Sequence, residues 1–200
     1  MKKIFIIALL NFLFINCKSQ SQIINILDDD GTSKADTYYK DINNLLNPYT
    51  GTWVYDNGNR YIKLVLIKKI KFYNSKYYED VIIGGVEYKE NNITKTNTIS
   101  FINNTYGNSI KYPLSGNILL KNDFPPICLD CFPNELRLGL NYHDLNPETS
   151  FGTMILRKIT INGQDAIKLK LTAKTVYQKA GSPPPLDFKL PVGEYIFIKQ

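Results

Sequence analysis

The chain has 200 residues, 44% of them hydrophobic, which is enough for one ordinary domain with a filled core. Its formal charge is +6, but the lysines and arginines are spread thinly, with no basic cluster interleaved with aromatics, and this excludes a nucleic-acid surface. Beyond residue 17 no apolar run approaches 18 residues, which excludes a further helical membrane span.

Met1-Lys2-Lys3 is followed by an apolar run from Ile4 to Ile15 that ends on Asn16-Cys17. A positive start before about a dozen apolar residues reads as an export signal over residues 1–16, too short to span a bilayer comfortably. A small-x-small cleavage site is lacking. Instead Leu13-Phe14-Ile15-Asn16-Cys17 resembles the lipobox of bacterial lipoproteins, with Asn16 where that motif has Gly, Ala or Ser. The resemblance implies cleavage before Cys17 and lipidation of that cysteine, and two or three acyl chains anchor stably where one does not. An uncut signal anchor and cleavage at another site are the alternatives. Loss of Lys2 and Lys3 with the signal takes the formal charge from +6 to +4. Residues 17–34 are polar, with Ser-Gln repeats and Asp28-Asp29-Asp30-Gly31, and read as a lipidated tether. Within it, Ile23-Ile24-Asn25-Ile26-Leu27 is apolar enough to pair as an edge strand. The acidic run lacks the ligand spacing and distal Glu of a calcium loop.

Residues 35–200 read as a single β-barrel-like domain. It opens with one short helix over Asp36–Leu46, capped by Asp36 or Thr37, with Tyr38, Ile42, Leu45 and Leu46 near helical spacing and Pro48 closing it. After Pro48 the period becomes two. Ile62, Leu64, Leu66, Ile70 and Phe72 alternate with lysines, and Val65 and Ile67 lie on the second face. Leu136, Leu138, Leu140 and Tyr142 form another such stripe, as do Ile167, Leu169, Leu171 and Ala173. Asn57-Gly58, Asn162-Gly163 and Gly116-Asn117 are tight-turn signals, with Asn74-Ser75 and Asn91-Asn92 in a similar role. Short connections make sequence neighbours pair antiparallel, in a meander of eight to ten strands. A meander that long curls to protect its edges. The expected fold is therefore mostly β, an antiparallel meander curled into a closed or half-closed barrel, with a sandwich as the second choice.

Asp123–Pro133 and Ala180–Pro191 break the pattern as Pro-rich loops, the second a stiff polyproline-like crossing. Tyr195–Ile198 supplies a closing strand. Cys128-Leu129-Asp130-Cys131 sits in the first loop. In an exported chain two cysteines three apart in a tight turn can form a disulfide. Free thiols, a metal site or a redox role remain open, although a zinc site needs about four ligands and a redox thiol normally a helix N-terminus. His143, the only histidine, stands beside Asp144 and offers the one basis for Ser-His-Asp hydrolysis. Tyr38, Tyr39, Tyr55, Tyr73, Tyr77 and Tyr78 read first as cross-strand packing, second as a stacking surface for sugars or the rim of an apolar pocket.

Several segments together carry a wider likeness: Tyr39–Asn44, Asn47–Trp53, Asn57-Gly58-Asn59, Phe72–Asp80 and the Ser115-Gly116-Asn117 stretch. On these the chain resembles an uncharacterised family of small flavobacterial lipoproteins catalogued as a domain of unknown function. A second, weaker resemblance is to the lipocalins, in which a short N-terminal helix precedes Gly-x-Trp on the first barrel strand. Gly51-Thr52-Trp53 stands in that place. The likeness implies that Trp53 lies at the barrel floor, with Trp53 and Tyr55 lining a ligand site, whereas the long Pro-rich loops depart from a compact lipocalin.

The function these features imply is a non-enzymatic binding or interaction module of the cell envelope. It would be held on the outer membrane through its lipid, with the periplasmic face favoured over the cell surface. Its partner would be a small apolar or glycan ligand or an envelope protein, with no cofactor and no nucleic acid, and the chain would be a monomer. An accessory subunit of an outer-membrane assembly is the second reading, and a hydrolase the third.

Overall fold

The computed structural model describes residues 21–144, 150–173 and 188–200. Its strands are β1 (Ile23–Asn25), β2 (Tyr38–Lys40), β3 (Gly51–Asp56), β4 (Arg60–Tyr73), β5 (Tyr78–Glu90), β6 (Ile93–Asn97), β7 (Leu114–Leu120), β8 (Arg137–Asp144), β9 (Ser150–Ile161), β10 (Gln164–Ala173) and β11 (Gly193–Lys199). Eight of them close an antiparallel barrel in the order β5-β4-β3-β11-β10-β9-β8-β7, with β7 returning to β5 through Ile82–Gly116 and Gly84–Leu114. Every barrel neighbour but two is also a neighbour in sequence. The exceptions are the β3–β11 seam, which joins the ends of the meander, and β5–β7, where β6 intervenes. Closure leaves no free edge on the barrel itself.

Turn chemistry fixes the hairpins. Asn91 and Asn92 between β5 and β6, and Asn162 and Gly163 between β9 and β10, all take positive φ. That is the geometry of two-residue turns whose twist matches the flanking strands. Gly58 supplies positive φ between β3 and β4.

Alternation places one face of each strand inside. Trp53, Leu64, Leu66, Tyr88, Leu138, Leu140, Met154, Leu169 and Phe197 belong to one buried cluster that fills the barrel. Eight-stranded barrels have an interior just wide enough for side chains to fill. Val65 and Ile67, on the outer face of β4, join Val81 and Ile83 of β5 in a second cluster. The segment from Thr98 to Tyr112 covers it with Ile99, Ile102, Tyr106 and Tyr112. Gly85 makes that close approach feasible, since a Cβ there would lie 2.6 Å from the Thr98 carbonyl oxygen.

One end of the barrel is shut by the chain that leads into β3. Leu46 and Tyr49 enter the core beside Trp53. The Tyr49 hydroxyl donates to the Leu136 carbonyl at the start of β8 (3.1 Å), and the Trp53 indole N–H donates to the Tyr49 carbonyl (2.9 Å).

Three sequence expectations need correction. The described residues contain no α-helix, only short 3₁₀ turns, so the helix over Asp36–Leu46 is not formed. Asp36 takes φ 55° rather than a cap conformation, and Tyr38–Lys40 pairs as a strand. Burial of both Tyr38 and Tyr39, together with hydrogen bonds to β1 and β5, outweighs a weak local helical pattern. Downstream, the buried Asp41 carboxylate accepts the backbone N–H groups of Leu45 (2.8 Å) and Leu46 (3.0 Å) and the Lys68 ammonium (2.8 Å). That fixes a turn where the helix was expected. Second, Gly116-Asn117 is not a hairpin turn but a bulge inside β7, between Ser115 and Ile118. Glycine is required there because a Cβ would lie 2.6 Å from the Gly139 carbonyl oxygen. Third, β1 and β2 join β5 in parallel, outside the antiparallel meander. Ile23–Asn25 does pair as the edge strand its apolar residues suggested, and Ile26 is buried in the core.

Candidate functional site

The edge of β5 opposite β4 is shared by three strands in turn: β2 at Tyr78 and Glu79, β7 from Ile82 to Gly84, and β6 from Glu87. Between the first two, the β7 bulge turns Asn117 across the gap. Its Nδ2 donates to the Asp80 carbonyl (3.0 Å) and to Glu79 Oε2 (3.1 Å). A cavity of ≈ 350 Å³ opens beside this junction. Its walls come from β2 (Tyr39), the β4–β5 hairpin (Asn74, Tyr77, Glu79), the stretch before β7 (Asn108, Ser109, Ile110), β7 (Ser115, Asn117, Ile118) and Asn141 of β8. Asp29 and Ser33 of the N-terminal segment form the remaining rim.

Glu79 organises this site. It is 5% exposed, and its carboxylate accepts Ser109 Oγ (2.8 Å), Asn74 Nδ2 (2.9 Å) and Asn117 Nδ2 (3.1 Å). Burial pushes its pKa above the ordinary 4.5, and the three donors only partly offset that. Asn74 Nδ2 also donates to the Tyr77 hydroxyl (2.9 Å). The Tyr39 and Tyr77 rings meet edge to face at 5.3 Å. Burial, then the Glu79 charge, raises the Tyr77 pKa. Both N–H groups of Asn117 are held by β5, so the group it offers the cavity is its amide oxygen. Amides, hydroxyls and two carboxylates therefore line the cavity, with no lysine or arginine.

A second surface is the connection between β7 and β8. Cys128 and Cys131 are disulfide-bonded, with Cα atoms 5.4 Å apart. The Arg137 guanidinium, 4% exposed, donates to the carbonyls of Pro126 (2.6 Å), Lys121 (2.8 Å) and Phe124 (2.8 Å). Arg157 of β9 grips the loop from the barrel wall through Glu135 (2.7 Å) and Asp130 (2.8 Å). Burial works against the Glu135 carboxylate, but Arg157 and the Phe132 N–H outweigh it and hold its pKa low. The loop's outer side carries Phe124, Ile127, Leu129 and Phe132, of which Leu129 is 96% exposed.

The residues singled out by sequence fall in different places. Cys17 lies outside the described residues. Trp53 is wholly buried at the shut end of the barrel, with the Lys199 ammonium 5.3 Å from its ring centroid. Tyr55 is half-buried and packs edge to face on Tyr195 at 5.1 Å. Neither lines the cavity at the β5 junction. Of the tyrosine set, Tyr39 and Tyr77 do line it. Tyr38 instead donates to the buried Asp80 carboxylate (2.6 Å). His143 stacks on Phe151 at 4.4 Å. In the sequence Glu79 is one acid within the Phe72–Asp80 stretch, with nothing to mark it. Asn117 and Asn74 read only as turn residues and Ser109 gave no signal, because their convergence depends on a bulge and a strand order that no local pattern encodes.

Among the described residues, no group of His, Cys, Asp and Glu could hold a metal ion. No helix among them is long and apolar enough to cross a membrane. Neither the curated proteins nor the solved structures contain a match to this chain. The chain does belong to one family, the family of unknown function DUF6705, whose model matches residues 1–200.

Proposed function

We propose that this protein is a lipid-anchored, non-enzymatic binding module of the cell envelope, whose ligand is a small uncharged polyhydroxylated group of the glycan type. The observation that carries the reading is the cavity around Glu79. Its ≈ 350 Å³ falls at the lower end of the range for small-ligand pockets, suited to a sugar ring or a glycan terminus. Fixed amide, hydroxyl and carboxylate groups suit vicinal hydroxyls, which both donate and accept. Two acids and no cation disfavour phosphate- or carboxylate-bearing ligands. The lipocalin resemblance implied a ligand inside the barrel. Because Trp53, Tyr88 and Phe197 help fill that interior, we place the ligand outside it, at the β5 junction. The anchor rests on the signal-like residues 1–16 and Cys17.

Calorimetric titration with a panel of neutral, amino and acidic sugars tests the site. The expected result is binding of neutral sugars, weakened at least tenfold by Asn117→Ala or Asn141→Ala, with acidic sugars excluded. Equal affinity of wild type and both variants for every sugar would remove the cavity from consideration. The second reading, an accessory subunit of an outer-membrane assembly, is favoured by the exposed apolar loop. Crosslinking in intact cells that recovers a stable envelope protein would support it.

A further inference from the structure

The loop between β7 and β8 is built to hold apolar side chains in water. Phe124 is 57% exposed, Ile127 66%, Leu129 96% and Phe132 76%. They are not the frayed tips of a slack segment. Arg137 ties three of the loop's carbonyls from below, the Cys128–Cys131 bond closes its centre, and the Cys128 N–H donates to the Asn122 carbonyl (3.1 Å). Two of the loop's acids are ion-paired. Asp130 pairs with Arg157 and Lys168, and Glu135 with Arg157, all against the barrel wall. Ile127 and Leu129 stand in the same hollow as Asp130, Arg157 and Lys168, so the apolar side chains lie beside paired charges. Isolated exposed apolar residues are ordinary on a protein surface, but four within nine residues of one braced loop point to a contact site.

Strand directions say what lies opposite. β1 runs parallel to β2, β2 parallel to β5, and β5 antiparallel to β7. The start of β1 and the end of β7 are therefore at one end of the barrel, the end shut by Leu46 and Tyr49. The loop leaves β7 where the N-terminal chain arrives. From Cys17 to Ile23 is six residue steps, which reach at most about 20 Å even when fully extended. A chain lipidated at Cys17 holds this end of the barrel within that distance of the bilayer.

We propose that the disulfide-closed loop of Phe124, Ile127, Leu129 and Phe132 is a membrane-contact surface, inserting into the interface of the leaflet that carries the lipid anchor. It rests on the anchored reading above and is independent of the ligand cavity. Phenylalanine and leucine at the acyl boundary beside the basic Arg157, Lys168 and Lys170 are the composition of interfacial segments. The loop supplies a second attachment that orients the barrel on the membrane.

The test uses the full chain, produced with its signal in a bacterial host and reconstituted into phosphatidylethanolamine–phosphatidylglycerol vesicles. Some of these contain lipids brominated on the acyl chain, which quench tryptophan on contact. Native Trp53, wholly buried, gives a common background. A tryptophan probe is placed by Phe132→Trp or Leu129→Trp, and a control by Ile93→Trp, 62% exposed on β6 at the other end of the barrel. The expected result is at least a twofold loss of probe emission in the F132W and L129W chains and none beyond background in I93W. Quenching of the loop probes no greater than in I93W would overturn the proposal. So would a photo-crosslinker at Phe132 that captures a discrete protein in cells while vesicles leave the F132W probe unquenched, because the loop would then be a protein contact. Intact mass and flotation report the anchor separately. If the chain carries no acyl group, quenching on addition of vesicles still decides whether the loop itself meets lipid.

Discussion

Among the described residues Asp41, Glu79, Asp80 and Asp144 have left water, and the first three do different jobs. Asp41 holds a turn against Lys68, Asp80 accepts Tyr38 and the Lys71 backbone N–H, and Glu79 gathers the amides of the cavity. Glu79 has no cation to neutralise it among the described ion pairs, so its charge is held by hydrogen bonds alone. A carboxylate whose folded pKa is raised above its unfolded value favours the native state more as it takes up its proton. Its unfavourable contribution is full at neutral pH. It fades as pH falls through the raised folded value toward the ordinary 4.5. Urea denaturation from pH 7 to pH 4.5 should therefore show wild type gaining stability relative to Glu79→Gln, a difference flat above the folded pKa. A difference that shrinks on acidification would assign Glu79 a stabilising charge instead. The role of Glu79 was not legible in the sequence, since the groups around it come from residues 74, 109 and 117.

Elements were legible wherever a period and a turn agreed. Ile62, Leu64 and Leu66 of β4, Leu138–Tyr142 of β8 and Ile167–Leu171 of β10 face inward as expected, but the β4 stripe ends there: past the irregularity between Lys69 and Phe72, Ile70 is exposed and Phe72 packs in the outer cluster. Asn91-Asn92 and Asn162-Gly163 turned as their chemistry required. The misread elements are those fixed from a distance: Tyr38–Lys40, drawn into the sheet by β5, and Gly116, needed for the approach of β8 rather than for a turn. The strap from Thr98 to Tyr112 was invisible for the same reason, because its partners are the outer faces of β4 and β5. Gly85→Val should force that strap outward and destabilise the protein by about 1–3 kcal/mol, read as a lower urea midpoint with unchanged slope. Arg137→Ala should leave three loop carbonyls without their donor, at about 2–3 kcal/mol. Faster backbone amide exchange confined to residues 121–136 would locate the effect in the loop, whereas unchanged exchange there would deny Arg137 its organising part.

At the scale of the molecule, the barrel depends on its last strand. β11 lies between β10 and β3, so the meander closes only when the C-terminal residues arrive. Composition and alternation pointed to a curled meander. They could not show that closure is complete, because the joint rests on the two β-ladder pairs Ile198–Val54 and Lys199–Trp53. Phe197, 1% exposed within the core, should matter out of proportion to its position near the terminus. Phe197→Ala is expected to cost about 3–5 kcal/mol, a large share of a typical domain's total. A shift in thermal midpoint no larger than that of the exposed Ile196→Ala would show that β11 contributes little to closure.

The parallel register of β1 on β2 also has a mechanical meaning. A pull on the chain ahead of Ser21 acts along the axis of β1, so its pairs Ile23–Tyr38, Ile24–Tyr39 and Asn25–Lys40 are loaded together in shear rather than peeled singly. The adjoining β2–β5 pairs lie in the same line. Tension arriving from the N-terminus would thus pass into the barrel wall, and a domain anchored there as proposed would bear drag or collision through β1 and β2.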